Sequence, residues 1–164
     1  MLGHSMGSFL VRQYLGLYSG GLSGAVIMGT GHQPSIILNG GMLICKLISM
    51  FKGWDYRSKF VDGMAGGSYE KKMGRAWLSR DQENQQVYVA DPYCGFMFTV
   101  NAYFHMFWGM LKMNDQESAG KTSKKLPMFF VSGAEDPVGE NGKGVEKVVN
   151  LYKENGYQNI KMKL

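Results

Sequence analysis

The sequence predicts an α/β protein, a mostly parallel sheet carrying an inserted helical cap, and three observations lead there. Two short apolar runs, Ala25 to Met28 within "LSGAVIMGTG" and the "LPMFFVSG" stretch from Leu126, end in glycine and read as strands buried on both faces. Each run neighbours a segment of helical periodicity, as parallel strands require. Between them, from Pro34 to about Asn114, the chain becomes greasy and helical rather than strand-like. At 164 residues and 45% apolar content the chain is long enough to bury a core, and its Gly 23 and Met 13 suit tight turns and an adaptable apolar surface.

Taken in order, "GHSMG" at residues 3–7 fits G-x-S-x-G, a turn that lifts a serine off the end of a strand and into a helix. The strand should precede it, with Met1 and Leu2 as its last residues. The following helix shows one apolar face through Phe9, Leu10, Tyr14, Leu17 and Tyr18, and Gly20 and Gly21 stop it. The runs "IILNGGMLICKLISMFKGW" and "YCGFMFTVNAYFHMFWGMLKM" predict cap helices, and "NDQESAGKTSKK" predicts a surface return loop. After the strand from Leu126 comes the loop "AEDPVG". An amphipathic helix then carries Val145, Val148, Val149 and Tyr152 on one face and ends at Gly156. Ile160, Met162 and Leu164 alternate with polar residues in a last strand. The organisation that follows is core at 1–33, cap at 34–119 and core again at 120–164.

Several classes of function are disfavoured. The net charge of +5 is spread thinly, and the one tight basic cluster, Lys121, Lys124 and Lys125, reads as a solvated loop, so no nucleic-acid partner is expected. Cys45 and Cys94 show no metal or redox spacing and fit buried free thiols of a cytoplasmic protein; no metal and no cofactor is expected. No signal peptide is visible, and the apolar run from Ser35 to Phe51, broken by Asn39, Gly40, Gly41 and Lys46, reads as too short and too interrupted to span a bilayer.

The chemistry concentrates in two loops. At the elbow Ser5 would attack an acyl carbonyl, and the backbone N–H of Met6 would donate to the oxyanion. Gly3 and Gly7 supply the small residues a tightly packed strand-to-helix turn needs. The competing reading of Ser5 is a helix N-cap. In "FFVSGAEDPVG", Asp136 lies just past a core strand with Pro137 stiffening the loop, the position of a triad acid, while Glu135 would point elsewhere; the competing reading is an ordinary Asp-Pro turn. His4 would leave the elbow in a different direction from Ser5 and pack beside it. His32 would stand near a pocket mouth, and His105 would be a core residue. Phe96, Phe98, Tyr103, Phe104, Phe107 and Trp108 could line an acyl tunnel or merely fill the cap.

"GHSMGSFLVRQYL", "WLSRD…YVADPYCGFMFT" and "PMFFVSGAEDPVG" together resemble the α/β-hydrolase fold, in its monoacylglycerol lipase, lysophospholipase and serine aminopeptidase-like branch. That resemblance implies a Ser…Asp…His triad, with Ser5 as nucleophile and Asp136 as acid, and a helical cap between the strand ending near Thr30 and the one beginning near Leu126. It departs from the family in two places: no histidine follows Asp136, and no glycine-rich loop precedes the elbow. The expectation is therefore part of a serine hydrolase, lacking both ends and by itself nearly inactive. Its substrates would be carboxylic esters of lipid-like or small acyl groups, with transient membrane contact through the cap; the oligomeric state is left open. The alternatives are an amidase or aminopeptidase, with Asp55, Asp62, Asp81 and Asp91 available to capture an amine, and a non-catalytic binding protein of the same fold.

Overall fold

The computed structural model describes residues 1–67, 69, 71, 74–114 and 116–164. Strands β1 (Leu2–His4), β2 (Ala25–Met28), β3 (Met128–Val131) and β4 (Ile160–Lys163) form a parallel sheet in that order. Among the described residues the α-helices are α1 (Met6–Tyr18), α2 (Ser35–Lys52), α3 (Lys59–Asp62), α4 (Gln82–Ala90), α5 (Val100–Met113), α6 (Gln116–Gly120) and α7 (Lys143–Glu154). Register places His4 beside Met28 and Met28 beside Val131, so the ends of β1, β2 and β3 are level. The elbow's strand thus exists, but it comprises Leu2–His4 and takes in Gly3 and His4 rather than ending at Leu2.

The chain divides into two compact units, Met1–Leu38 with Trp108–Leu164, and Asn39–Phe107. In the first, alternate residues of β2 and β3 (Ala25, Ile27, Met128 and Phe130) enter the core, while Val26, Met28, Phe129 and Val131 are half-buried. The expected burial of β2 on both faces is therefore only partial. Helix α7 buries Val145, Val148, Val149 and Tyr152, as its periodicity predicts, and Asn155 and Gly156 close it.

Helix α1 departs from its predicted face. The residues it buries are Ser8, Val11, Arg12, Leu15 and Gly16, whereas Leu10, Tyr14, Leu17 and Tyr18 are exposed. Both sets follow helical spacing, so hydrophobicity favoured the larger one. Closeness decided otherwise: a Cβ on Gly3 would lie 2.6 Å from the Val11 Cγ2, so glycine lets α1 settle on β1 through the face that carries Val11.

The predicted return loop is also more ordered than its composition suggested. Gln116–Gly120 forms α6, with Ala119 buried beneath it and Glu117 paired to Lys121 at 2.7 Å on the outside. The Tyr157 hydroxyl donates to the Ala119 carbonyl at 3.0 Å and also to that of Thr122.

In the second unit α2 runs unbroken through Gly40 and Gly41. The glycines do not interrupt it because Gly41 receives the ring of Phe107, whose carbons would lie 2.9 Å from a Cβ there. Ser35–Lys52 is long and apolar enough by length and composition to cross a bilayer (mean hydropathy 1.4), which corrects the reading of that run as too short and too interrupted. Leu43, Leu47, Met50 and Phe51 form an exposed stripe along it. The aromatic residues of this unit pair in sequence, Phe96 with Phe98, Phe98 with Tyr103 and Tyr103 with Phe107, and the Tyr103 hydroxyl donates to Asp62. His105 is exposed and meets Phe104 edge-on, so it is not the core histidine its apolar neighbours suggested. Cys45 is buried and Cys94 half-buried; both are free thiols.

Candidate active site

Ser5 sits between the last residue of β1 and the first of α1, with φ 52° and ψ −121°. A positive φ in a residue with a Cβ is strained, on the order of 1–3 kcal/mol, and persists only where the surroundings impose it. Here they do. The Ser5 N–H donates to the Met28 carbonyl at 2.9 Å, extending the β1–β2 ladder to the turn. The Ser5 carbonyl then accepts from both the N–H and the hydroxyl of the fully buried Ser8, at 2.9 and 2.6 Å. Sequence reasoning passed over Ser8; its signal was a second small hydroxyl one turn into the helix.

The Ser5 side chain makes no capping hydrogen bond, so the N-cap reading of this serine does not describe what its hydroxyl does. Ser5 is exposed. Met6 is the first residue of α1, where backbone N–H groups have no acceptor within the helix, the position an oxyanion donor needs. The two elbow glycines differ in what they contribute. Gly3 is required by the approach of α1, but a Cβ on Gly7 would meet nothing within 4 Å, so the expected packing need at that position is absent.

Asp136 lies in the loop beyond β3 and is half-buried. Its carboxylate is held at both oxygens: Oδ1 accepts from the Val138 N–H at 2.9 Å, and Oδ2 from the Ser132 hydroxyl at 3.0 Å. The Asp136 N–H donates to Gly133 at 3.0 Å, and its carbonyl accepts from Asn141 at 3.0 Å. This is more than an Asp-Pro turn needs. Glu135 is exposed.

Gly29 links the two loops. It follows β2, the strand between those that carry Ser5 and Asp136, with φ +61°. A Cβ built there would lie 3.5 Å from the Asp136 Oδ2 and 3.5 Å from the His4 Cδ2. The His4 ring and the Asp136 carboxylate therefore come together over this glycine, and the elbow and the acid share one end of the sheet. In open parallel sheets the carboxyl ends of the strands are where ligands bind.

The remaining candidates separate. The backbone N of His32 lies 3.3 Å from a Cβ position on Gly144, in the first turn of α7, and its Nδ1 is buried without a partner. Burial first, then Lys147 and Arg12, push its pKa below the ordinary histidine value, against a smaller opposite pull from Glu140. Phe96 and Phe98 pair with each other in the second unit, and Phe104 pairs there with Trp54 at 5.4 Å. Trp108 is exposed, with the Lys112 ammonium 6.0 Å from its ring centre. Among the described residues, no three His, Cys, Asp or Glu side chains converge as metal ligands.

One structural residue was missed altogether. Arg12 is buried, and its guanidinium donates to the Gly31 carbonyl at 3.0 Å, the Thr30 hydroxyl at 3.3 Å, the Met113 carbonyl at 3.4 Å and the Asn114 side chain at 3.3 Å. It ties the segment after β2 to the end of α5. A lone arginine inside "FLVRQYL" was the available signal.

A family model described as "Serine aminopeptidase, S33" matches residues 1–164. No curated protein sequence matches the chain. Among solved structures, a highly thermostable carboxyl esterase from Bacillus coagulans in complex with glycerol matches with TM-score 0.86 and 24% identity, over 99% of this chain and 54% of that one. A monoacylglycerol lipase from Paleococcus ferrophilus matches with TM-score 0.67 and 16% identity, over 98% and 55%. A soluble variant of the Saccharomyces cerevisiae monoglyceride lipase, with a substrate analogue, gives 0.68 and 18%, over 100% and 51%. The fold is that of the α/β-hydrolases, and the chain spans about half the length of these structures.

Proposed function

Because this chain belongs to the serine aminopeptidase S33 family of hydrolases, we propose that it carries the nucleophile and acid of a serine esterase acting on lipid-like or small acyl esters. The observation that carries this reading is the strained Ser5, its hydroxyl uncommitted, at the same sheet end as a carboxylate fixed at both oxygens. The Ser5 Oγ attacks the ester carbonyl while an imidazole takes its proton, and the Met6 N–H donates to the oxyanion. The imidazolium protonates the leaving alcohol as the C–O bond breaks, and water then releases the acid from the acyl-serine. Asp136 orients the imidazole and stabilises its charged form.

None of the three histidines in this sequence is assigned as the base. His4 departs from the residue before Ser5 and lies over Gly29, and the His32 backbone N lies beside Gly144 in the first turn of α7. The 164-residue chain by itself is accordingly expected to turn over very little. Contact with a lipid surface is supported by the exposed Leu43, Leu47, Met50 and Phe51, with Phe96 as a further exposed aromatic residue of the same unit for an apolar acyl group. Two free thiols suit a cytoplasmic setting.

The amidase alternative has less support. Asp62 accepts from Tyr103, Asp81 caps α4, and Asp91 accepts from the Tyr93 N–H, so three of the four acids considered for amine capture already hold local structure. The deciding experiment compares butyrate ester with aminoacyl amide hydrolysis by the longest gene product that carries this chain, with labelling of Ser5 by a fluorophosphonate. Ester turnover that falls about 10⁴-fold or more in Ser5→Ala is expected. Turnover that survives Ser5→Ala would overturn the reading. Substrate binding with neither turnover nor labelling would favour a binding protein.

A further inference from the structure

The geometry points to Ser132 as a positioning residue that sets the orientation of Asp136, an inference that rests on the serine-esterase reading for its catalytic consequence. Ser132 directly follows β3, so the sheet fixes its backbone; its N–H donates to Lys163 at 3.1 Å on the adjacent strand. Its side chain is buried, and a buried hydroxyl must find an acceptor. That acceptor is the Asp136 Oδ2, at 3.0 Å.

Without this bond the carboxylate would be held on one side only, by the Val138 N–H on Oδ1 at 2.9 Å, and could turn about its terminal torsion, which is intrinsically broad. With it, both oxygens are pinned. A carboxylate oxygen accepts at more than one site, so Oδ2 keeps acceptor capacity on the side facing Gly29 and His4. An incoming imidazole N–H finds that oxygen already oriented. Ser132 touches neither substrate nor nucleophile, and its contribution passes entirely through Asp136.

Two measurements test this. On the 164-residue chain, amide hydrogen exchange at Val138 reports whether the carboxylate still accepts its N–H. Ser132→Ala should lower that protection roughly tenfold and Ser132→Thr should retain it. On the longest gene product, Ser132→Ala should lower kcat for ester hydrolysis roughly 10- to 100-fold with KM unchanged, and Ser132→Thr should restore most of it. If the alanine variant folds poorly, Ser132→Thr against the isosteric Ser132→Val makes the same comparison. Unchanged Val138 protection in the variants lacking the hydroxyl overturns the proposal, as does equal loss of kcat in the threonine variant. Turnover retained in Ser5→Ala would instead defeat the esterase reading, and Val138 protection would still decide the role of Ser132.

Discussion

The unit formed by Met1–Leu38 and Trp108–Leu164 is organised around a closed core in which Leu15, Ile27, Phe130, Val145 and Val148 are fully buried, while Leu10, Leu17 and Tyr18 stay on the outside of α1. The unit Asn39–Phe107 does the opposite along its longest helix, where Phe51 is 84% and Met50 76% exposed. Both units hold glycine inside or beside helices, again to different ends. Gly3 is crowded by α1, whereas Gly40 would meet nothing within 4 Å. The sheet unit is built to hold a few polar groups at fixed positions, and the inserted unit presents apolar surface. Ser5 is held in place by its N–H on the Met28 carbonyl, and Asp136 by the Val138 N–H and the Gly133 carbonyl, with the Ser132 hydroxyl on its second carboxylate oxygen. An exposed apolar stripe has no comparable constraint and is set by what it meets.

The largest expected effect breaks the sheet unit at its chemistry. Asp136→Asn should lower kcat for ester hydrolysis by about 10⁴-fold, because a neutral amide fixes the imidazole in the wrong tautomer. Glu135→Gln, at the exposed neighbour, should stay within about twofold. Steady-state kinetics of the two variants in the longest gene product checks both, and a larger effect at Glu135 would reassign the acid.

Next comes the buried arginine. Arg12→Met leaves the acceptors of Thr30, Gly31, Met113 and Asn114 without their donor, and should lower stability by about 3 kcal/mol in denaturant unfolding. Arg12→Lys should recover little, since an ammonium cannot present a planar fork to both segments at once.

A matched pair of alanine substitutions sharpens the comparison directly. Gly3→Ala forces a methyl into Val11 and the Gly7 backbone and should destabilise by about 2–3 kcal/mol. Gly40→Ala, in open space within α2, should instead stabilise by about 0.5–1 kcal/mol. Thermal midpoints moving in opposite directions are the expected result; a fall in both would mean α2 is packed as closely as α1. On the exposed stripe, Phe51→Asp should weaken co-sedimentation with phospholipid vesicles about tenfold and leave the thermal midpoint unchanged.

What the sequence disclosed follows the same division. Elements were legible where backbone chemistry forces them: the G-x-S-x-G turn, the glycine-terminated strands, and the apolar face of α7. The face of α1 was not, because two stripes satisfied the helical period and the choice depended on Gly3 in another element. Nor was the continuity of α2, since a glycine pair reads as a breaker until Phe107 is seen packed on it. The places of Ser5 and Asp136, at the turn after β1 and in the loop beyond β3, were legible from their motifs. Ser132, Ser8 and Arg12 were not, because serines and a single arginine gain meaning only from the acceptor each reaches through the fold.

The smallest expected effect concerns His32, a partly buried titratable group of the sheet unit. Burial, then Lys147 and Arg12, depress its pKa in the folded state, with Glu140 opposing. As pH falls below the unfolded value of about 6.5, the unfolded chain takes up this proton before the folded one does. The unfolded state binds more protons in that window, so stability declines as pH falls from about 6.5 toward the depressed folded value, and this contribution levels off below it. His32→Gln removes the group and should flatten that limb of stability against pH, read as denaturant midpoints between about pH 7 and 5. A steeper dependence in His32→Gln would mean that the charged imidazole is held by Glu140 more strongly than burial and Lys147 oppose it.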